Sequence, residues 1–72
     1  MELVKNKASD KYFIVLDDTR GANFLLITPE GKVKRLKRHL FDPQVVVDPK
    51  TPQCEHRLTE LQMDKYAEHV DQ

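Results

Sequence analysis

The run Gly31-Lys32-Val33-Lys34-Arg35-Leu36-Lys37-Arg38-His39 places five Lys or Arg residues in nine positions with no acid among them. Cations at this density can track the phosphates of a nucleic acid. If Lys32 and Lys34 share one face of an extended strand, their charges stand about 7 Å apart. Contacts of this kind supply affinity without reading base sequence. The same run also reads as a solvated edge strand, because lysines on a sheet edge discourage edge-to-edge association. Tyr12, Phe13, Phe24 and Phe41 read as core residues rather than as a base-stacking platform beside the cations.

Other reactive residue types lack the company their chemistry needs. Cys54-x-His56 is a single ligand pair that His39 or His69 would have to complete. Structural zinc sites generally take four ligands, often as two close pairs. The pair therefore reads as a polar loop carrying a free thiol. Asp17-Asp18 reads as solvated turn chemistry rather than as an acid–base couple, since no nucleophile motif lies near it. Gly21 and Gly31 are too far apart to form a phosphate-cradling loop. The sequence names no catalytic residue, no metal ligand set and no cofactor.

The elements that must position the basic run are short strands. Tyr12-Phe13-Ile14-Val15-Leu16 is a β-branched and aromatic run closed by the turn residues Asp17-Asp18-Thr19-Arg20-Gly21. Asn23-Phe24-Leu25-Leu26-Ile27-Thr28 follows as its hairpin partner. Pro29-Glu30-Gly31 then turns the chain, with proline presetting φ and glycine free to take a positive one. Lys32-Val33-Lys34-Arg35-Leu36 returns as a third strand. Val33 and Leu36 have opposite parity on a strand, so a bulge or a 3₁₀ turn near His39-Leu40 is expected to absorb the mismatch. Gln44-Val45-Val46-Val47-Asp48 reads as a fourth strand and residues 49–58 as a loop.

Thr59-Glu60-Leu61-Gln62 fits a capping box, and Leu58 with Met63 fits the accompanying hydrophobic staple. A helix over about 60–70 follows, with Met63, Tyr66, Ala67 and Val70 on one face. At roughly 11 residues it is marginal alone and should dock on the sheet; a partner or dimer interface is the other reading of that face. Its polar face carries Glu60, Asp64, Glu68 and Asp71, so a bound nucleic acid would lie elsewhere.

The chain has 72 residues, enough for one small domain over 1–72 with a β-meander or barrel over about 3–48. Twelve Lys and Arg balance twelve Asp and Glu, which excludes a globally basic chromatin-type protein and an acidic disordered tail. The balance is uneven along the chain: residues 1–28 sum to zero, 29–54 to +3 and 55–72 to −3. There is no apolar stretch of the roughly 20 residues that a membrane span requires, and no apolar leader at Met1-Glu2-Leu3-Val4-Lys5. One cysteine cannot form an internal disulfide. A cytoplasmic setting without a membrane partner is expected. A chain this short has little core to spare for a pocket of several hundred Å³, so surface binding is expected.

Phe13-Ile14-Val15-Leu16, Asn23-Phe24-Leu25-Leu26-Ile27, Gly31-Lys32-Val33-Lys34-Arg35 and Lys37-Arg38-His39-Leu40 together resemble small bacterial KOW-domain RNA-binding proteins, which are similar to certain ribosomal proteins. Lys7-Ala8-Ser9-Asp10-Lys11 resembles that family's basic first loop, without its glycines. The resemblance spans residues 3–41. It implies an SH3-like barrel and RNA contact through Lys32, Lys34, Arg35, Lys37 and Arg38, with Lys7 and Lys11 adding to it. The charge count singles out the first five independently. The fold expected is mainly β with a C-terminal α-helix, as a small SH3-like barrel or a strongly bent antiparallel sheet. The function expected is a non-catalytic nucleic-acid-binding module, with RNA favoured. The alternative is a protein-interaction module, or a small subunit of a larger assembly, that uses the barrel's loops. Nothing in the sequence fixes the oligomeric state.

Overall fold

A computed structural model describes residues 1–18, 21–47 and 57–70. Strands β1 (Glu2–Lys5), β2 (Tyr12–Asp17), β3 (Asn23–Ile27) and β4 (Val33–Lys37) are followed by a 3₁₀ turn (Arg38–Leu40). A short β5 (Val45–Val46) and the helix α1 (Glu60–Val70) complete the fold. The strands form one sheet in the order β4-β3-β2-β1-β5, and every pair is antiparallel. The protein is thus mainly β with a C-terminal helix, and the meander over β2, β3 and β4 lies where the hydrophobic runs place it.

Connectivity requires the sheet to bend strongly. Lys37 pairs with Asn23 on the β3 side of β4, while Phe41 bridges Asn6 on the far edge of β1. In a flat sheet those positions would be four strand spacings apart, about 19 Å. The four Cα–Cα steps from Lys37 to Phe41 reach at most about 14 Å fully extended, and the 3₁₀ turn shortens that further. The sheet closes the difference by curling. A register shift between Val15 and Asp17, opposite β3, supplies a local irregularity of the kind that bends a strand.

The bend gives β1 a buried side on each face. Val4 packs with Val15, Phe24, Leu26 and Phe41 inside the curl. Leu3 packs with Ile14 and Ile27 on the other face, under Leu58, Met63 and Tyr66 of the helical segment. Both Leu3 and Val4 are fully buried. The rings of Phe13 and Phe24 meet Phe41 edge-on, with centroids 5.2 and 6.0 Å away. This geometry is favourable beyond the area it buries.

The sequence reading under-weights β1, whose two apolar residues are both fully buried. It also extends the fourth strand too far. β5 is Val45–Val46 alone, and the chain from Asp48 to His56 falls outside the described residues. The parity conflict in β4 is resolved without a bulge there: Leu36 packs inward while Val33 stays 45% exposed. The 3₁₀ turn appears as expected, ending at Leu40. No helix among the described residues is long and apolar enough to cross a membrane.

Helix α1 docks through its capping box. The Gln62 N–H donates to Thr59 Oγ1 at 3.1 Å, and the Thr59 N–H donates to Gln62 Oε1 at 3.0 Å. Both side chains also reach the sheet. The Thr59 hydroxyl donates to the Pro29 carbonyl at 2.6 Å, and Gln62 Nε2 donates to the Tyr12 carbonyl at 2.8 Å and more weakly to that of Ile27 at 3.4 Å. Gln62, 1% exposed, is the helix's buried residue, whereas Ala67 and Val70 of the expected apolar face are exposed.

Candidate nucleic-acid interface

β4 is an edge strand because the hairpin turn before it returns the chain along the outer side of β3. The Gly31 N–H donates to the Thr28 carbonyl at 2.8 Å, and the Thr28 N–H donates to the Lys32 carbonyl at 2.7 Å. Gly31 sits at φ +78°, the left-handed conformation that the turn reading assigned to glycine. The ladder then runs from Ile27↔Val33 to Asn23↔Lys37. Directly opposed residues share a face, so Lys34 and Leu36 lie on the side of Leu26 and Phe24. Arg35 and Lys37 lie on the side of Leu25 and Asn23. The cations therefore occupy both faces of a rim and do not form one row.

Lys32, Lys34, Arg35 and Lys37 are all exposed. The ion pairs among the described residues are Lys5–Asp10, Lys5–Asp42 and Lys65–Glu68, and none involves β4. The exposed acids Glu60, Asp64 and Glu68 of α1 leave the rim's charge in place. One carboxylate does stand near it. Glu30, at the turn, is held below its ordinary pKa by its own backbone N–H and by the Thr28 hydroxyl, with smaller help from the charges of Lys11 and Lys34.

Arg38 differs from the other four. Its Nε donates to the Gly21 carbonyl at 2.6 Å, and its guanidinium lies 4.4 Å from the centroid of the Phe24 ring. The Arg38 N–H also donates to the Ala22 carbonyl at 2.8 Å. A half-buried arginine with these partners ties the end of β4 to the β2–β3 loop.

Lys7 is exposed in the β1–β2 loop, and its N–H donates to the Leu40 carbonyl. That loop is organised by Asn6, whose Oδ1 accepts from the N–H groups of Ala8 and Ser9 at 3.0 Å. In place of glycine, Asp10 takes the left-handed conformation at φ 58°. Asp17 ends β2 opposite Leu25, so the two adjacent acids belong to the hairpin. His39 and His69 are exposed, while Cys54 and His56 lie outside the described residues. Among the described residues no three His, Cys, Asp or Glu side chains gather as metal ligands.

One surface feature offers a further place for the surface binding that the sequence reading expects. A cleft of about 530 Å³ opens between the β1–β2 loop and the N-terminal end of α1, lined by Lys5, Asp10, Lys11, Tyr12, Arg57 and Thr59 among others. It forms where two surface segments meet above the sheet, and the buried members of both apolar clusters stay outside its lining, although half-buried Tyr12, which packs against one of them, reaches it. The argument from core size therefore does not apply to it.

Family models, curated proteins and solved structures were compared with the chain, and none matches it.

Proposed function

We propose that this protein is a small, non-catalytic nucleic-acid-binding module that holds phosphates along the rim of β4. RNA is favoured over DNA through the KOW-like pattern of residues 3–41. The observation that carries the reading is the set of four exposed cations, Lys32, Lys34, Arg35 and Lys37, which make no ion pair with any described residue. A cation without a carboxylate partner can exchange condensed counterions for phosphate contacts, and this exchange is the main source of non-specific affinity. Arg38 supports the rim from behind. Binding is electrostatic, without base readout, and falls in the range of about 10⁻⁴–10⁻⁶ M typical of non-specific association.

The experiment is a double charge reversal, Lys34→Glu with Arg35→Glu, assayed against short RNA and DNA oligomers at low ionic strength. Affinity falls at least about tenfold on this reading, since two phosphate contacts become two repulsions. Unchanged binding, or none in the parent protein, removes it.

A protein-interaction module is the second reading. It is favoured by the opposite edge of the sheet, where Val45 and Val46 of β5 are 41% and 75% exposed. A partner held there tolerates the charge reversal and is lost with Val46→Lys.

A further inference from the structure

We propose that the cleft between the β1–β2 loop and the N-terminal end of α1 binds a nucleoside monophosphate group, a phosphate monoester carried with a flat ring. Its volume of about 530 Å³ falls within the range of small-molecule sites and is larger than a bare oxyanion needs.

The charge of the lining matches a dianion. Among the described lining residues, Lys5, Lys11 and Arg57 stand with one carboxylate, Asp10. Lys5 is shared between Asp10 at 4.0 Å and Asp42 at 3.7 Å. Lys11 and Arg57 make no ion pair with a described residue. A phosphate monoester carries about −1.5 to −2 near neutrality, against −1 for a carboxylate, and so fits two cations that make no ion pair with a described residue better. Pro29 and the part of Tyr12 left exposed where it packs on the Leu3, Ile14 and Ile27 cluster are the least polar parts of the lining, on which a base can rest.

The walls are already fixed. Asn6 holds the loop through three bonds to its Oδ1, and the doubly anchored Thr59 and Gln62 hold the helix end. A site assembled before the ligand arrives loses less entropy on binding. Asp10 and Arg57, the two non-glycine residues at positive φ among those described, both line the cleft. For arginine this conformation is uncommon, and such outliers concentrate at functional sites.

The site uses none of the β4 cations and does not depend on the nucleic-acid reading. Pro29 lines the cleft and opens the turn that leads into β4, which places the cleft beside the rim. The group can therefore come from a free nucleotide or from the phosphorylated end of a strand.

The test is an amide shift-perturbation titration of the full chain with adenosine 5′-monophosphate, adenosine and inorganic phosphate in parallel. The monophosphate should shift Ser9, Asp10, Lys11, Thr59 and Gln62 saturably, and each fragment alone should do so at least several-fold less at the same concentration. Arg57→Glu and Lys11→Glu should each weaken the monophosphate about tenfold or more, as loss of a charge-assisted contact predicts. Lys11 is exposed in a loop, so its variant remains informative if the Arg57 variant misfolds. Lys34→Glu with Arg35→Glu should leave the cleft shifts unchanged, which separates this site from the rim. A short oligonucleotide with and without a 5′-phosphate identifies the source: shifts only with the phosphate point to a strand end, and shifts with neither point to the free nucleotide. Absence of saturable shifts, equal shifts from inorganic phosphate alone, or shifts confined to β4 would overturn the proposal.

Discussion

Gln62 is named by local spacing as half of a capping box, yet its larger role is to join helix to sheet. Its Oε1 accepts from Thr59, and its Nε2 donates to the carbonyls of Tyr12 and Ile27, 50 and 35 residues away. Gln62→Glu keeps the acceptor and replaces the donor with a carboxylate oxygen facing those carbonyls. Denaturant unfolding should show a loss of about 2–4 kcal/mol, the cost of a buried charge beside unsatisfied acceptors. The new carboxyl's pKa is raised by burial, so the deficit is greatest at neutral pH and shrinks in acid, where the group is protonated. A loss below about 0.5 kcal/mol at pH 7 contradicts the anchoring role. Glu30 behaves in the opposite sense. Its folded pKa is depressed by its own backbone N–H and by Thr28, so its contribution to the turn is present at neutral pH. That contribution is lost as pH falls below the ordinary carboxylate range. An NMR titration should give Glu30 the lower midpoint when compared with a glutamate in an unstructured peptide; an equal or higher midpoint rejects the hydrogen-bonded turn.

The turn before β4 and the first turn of α1 are built against each other. A Cβ on Gly31 would lie 2.9 Å from the Leu61 carbonyl oxygen, at a φ of +78° that side chains avoid, whereas Gly21 at φ +60° has nothing within 4 Å. Gly31→Ala should therefore cost at least about 2 kcal/mol, against about 1 kcal/mol for Gly21→Ala, where only the backbone conformation is unfavourable. Equal losses in parallel thermal and denaturant melts would refute the contact. Elements whose signals are local were legible in the sequence. The capping box, the Pro29-Glu30-Gly31 turn and the apolar runs of β2 and β3 each declare themselves within a few residues. β1 did not, because only Leu3 and Val4 separate Glu2 from Lys5, and their burial on both faces follows from the curl of the whole sheet. The role of Arg38 was hidden for a related reason, since its partners Gly21 and Phe24 lie 17 and 14 positions back along the chain. The cleft brings Asp10 to Arg57, a pairing that no local window contains.

At the scale of the molecule, zero net charge conceals a separation of sign. Cations line one edge of the sheet, and the acids of α1 project from a helix packed on one face of it. On the proposed nucleic-acid reading, such a molecule is held to a polyanion by a few contacts and released readily by salt. Its four rim cations, which make no ion pair with a described residue, supply most of those contacts, while Arg38 is engaged within the fold. The most direct measurement is the affinity for a short single-stranded RNA as a function of salt. With about 0.7 counterion released per contact, the slope of log K against log salt should approach about −3 for the parent protein. Lys34→Ala with Arg35→Ala should bring it to about half of that, and Arg38→Ala should leave it nearly unchanged while lowering the melting temperature. A salt-independent affinity, or a slope indifferent to Lys34 and Arg35, would contradict the account.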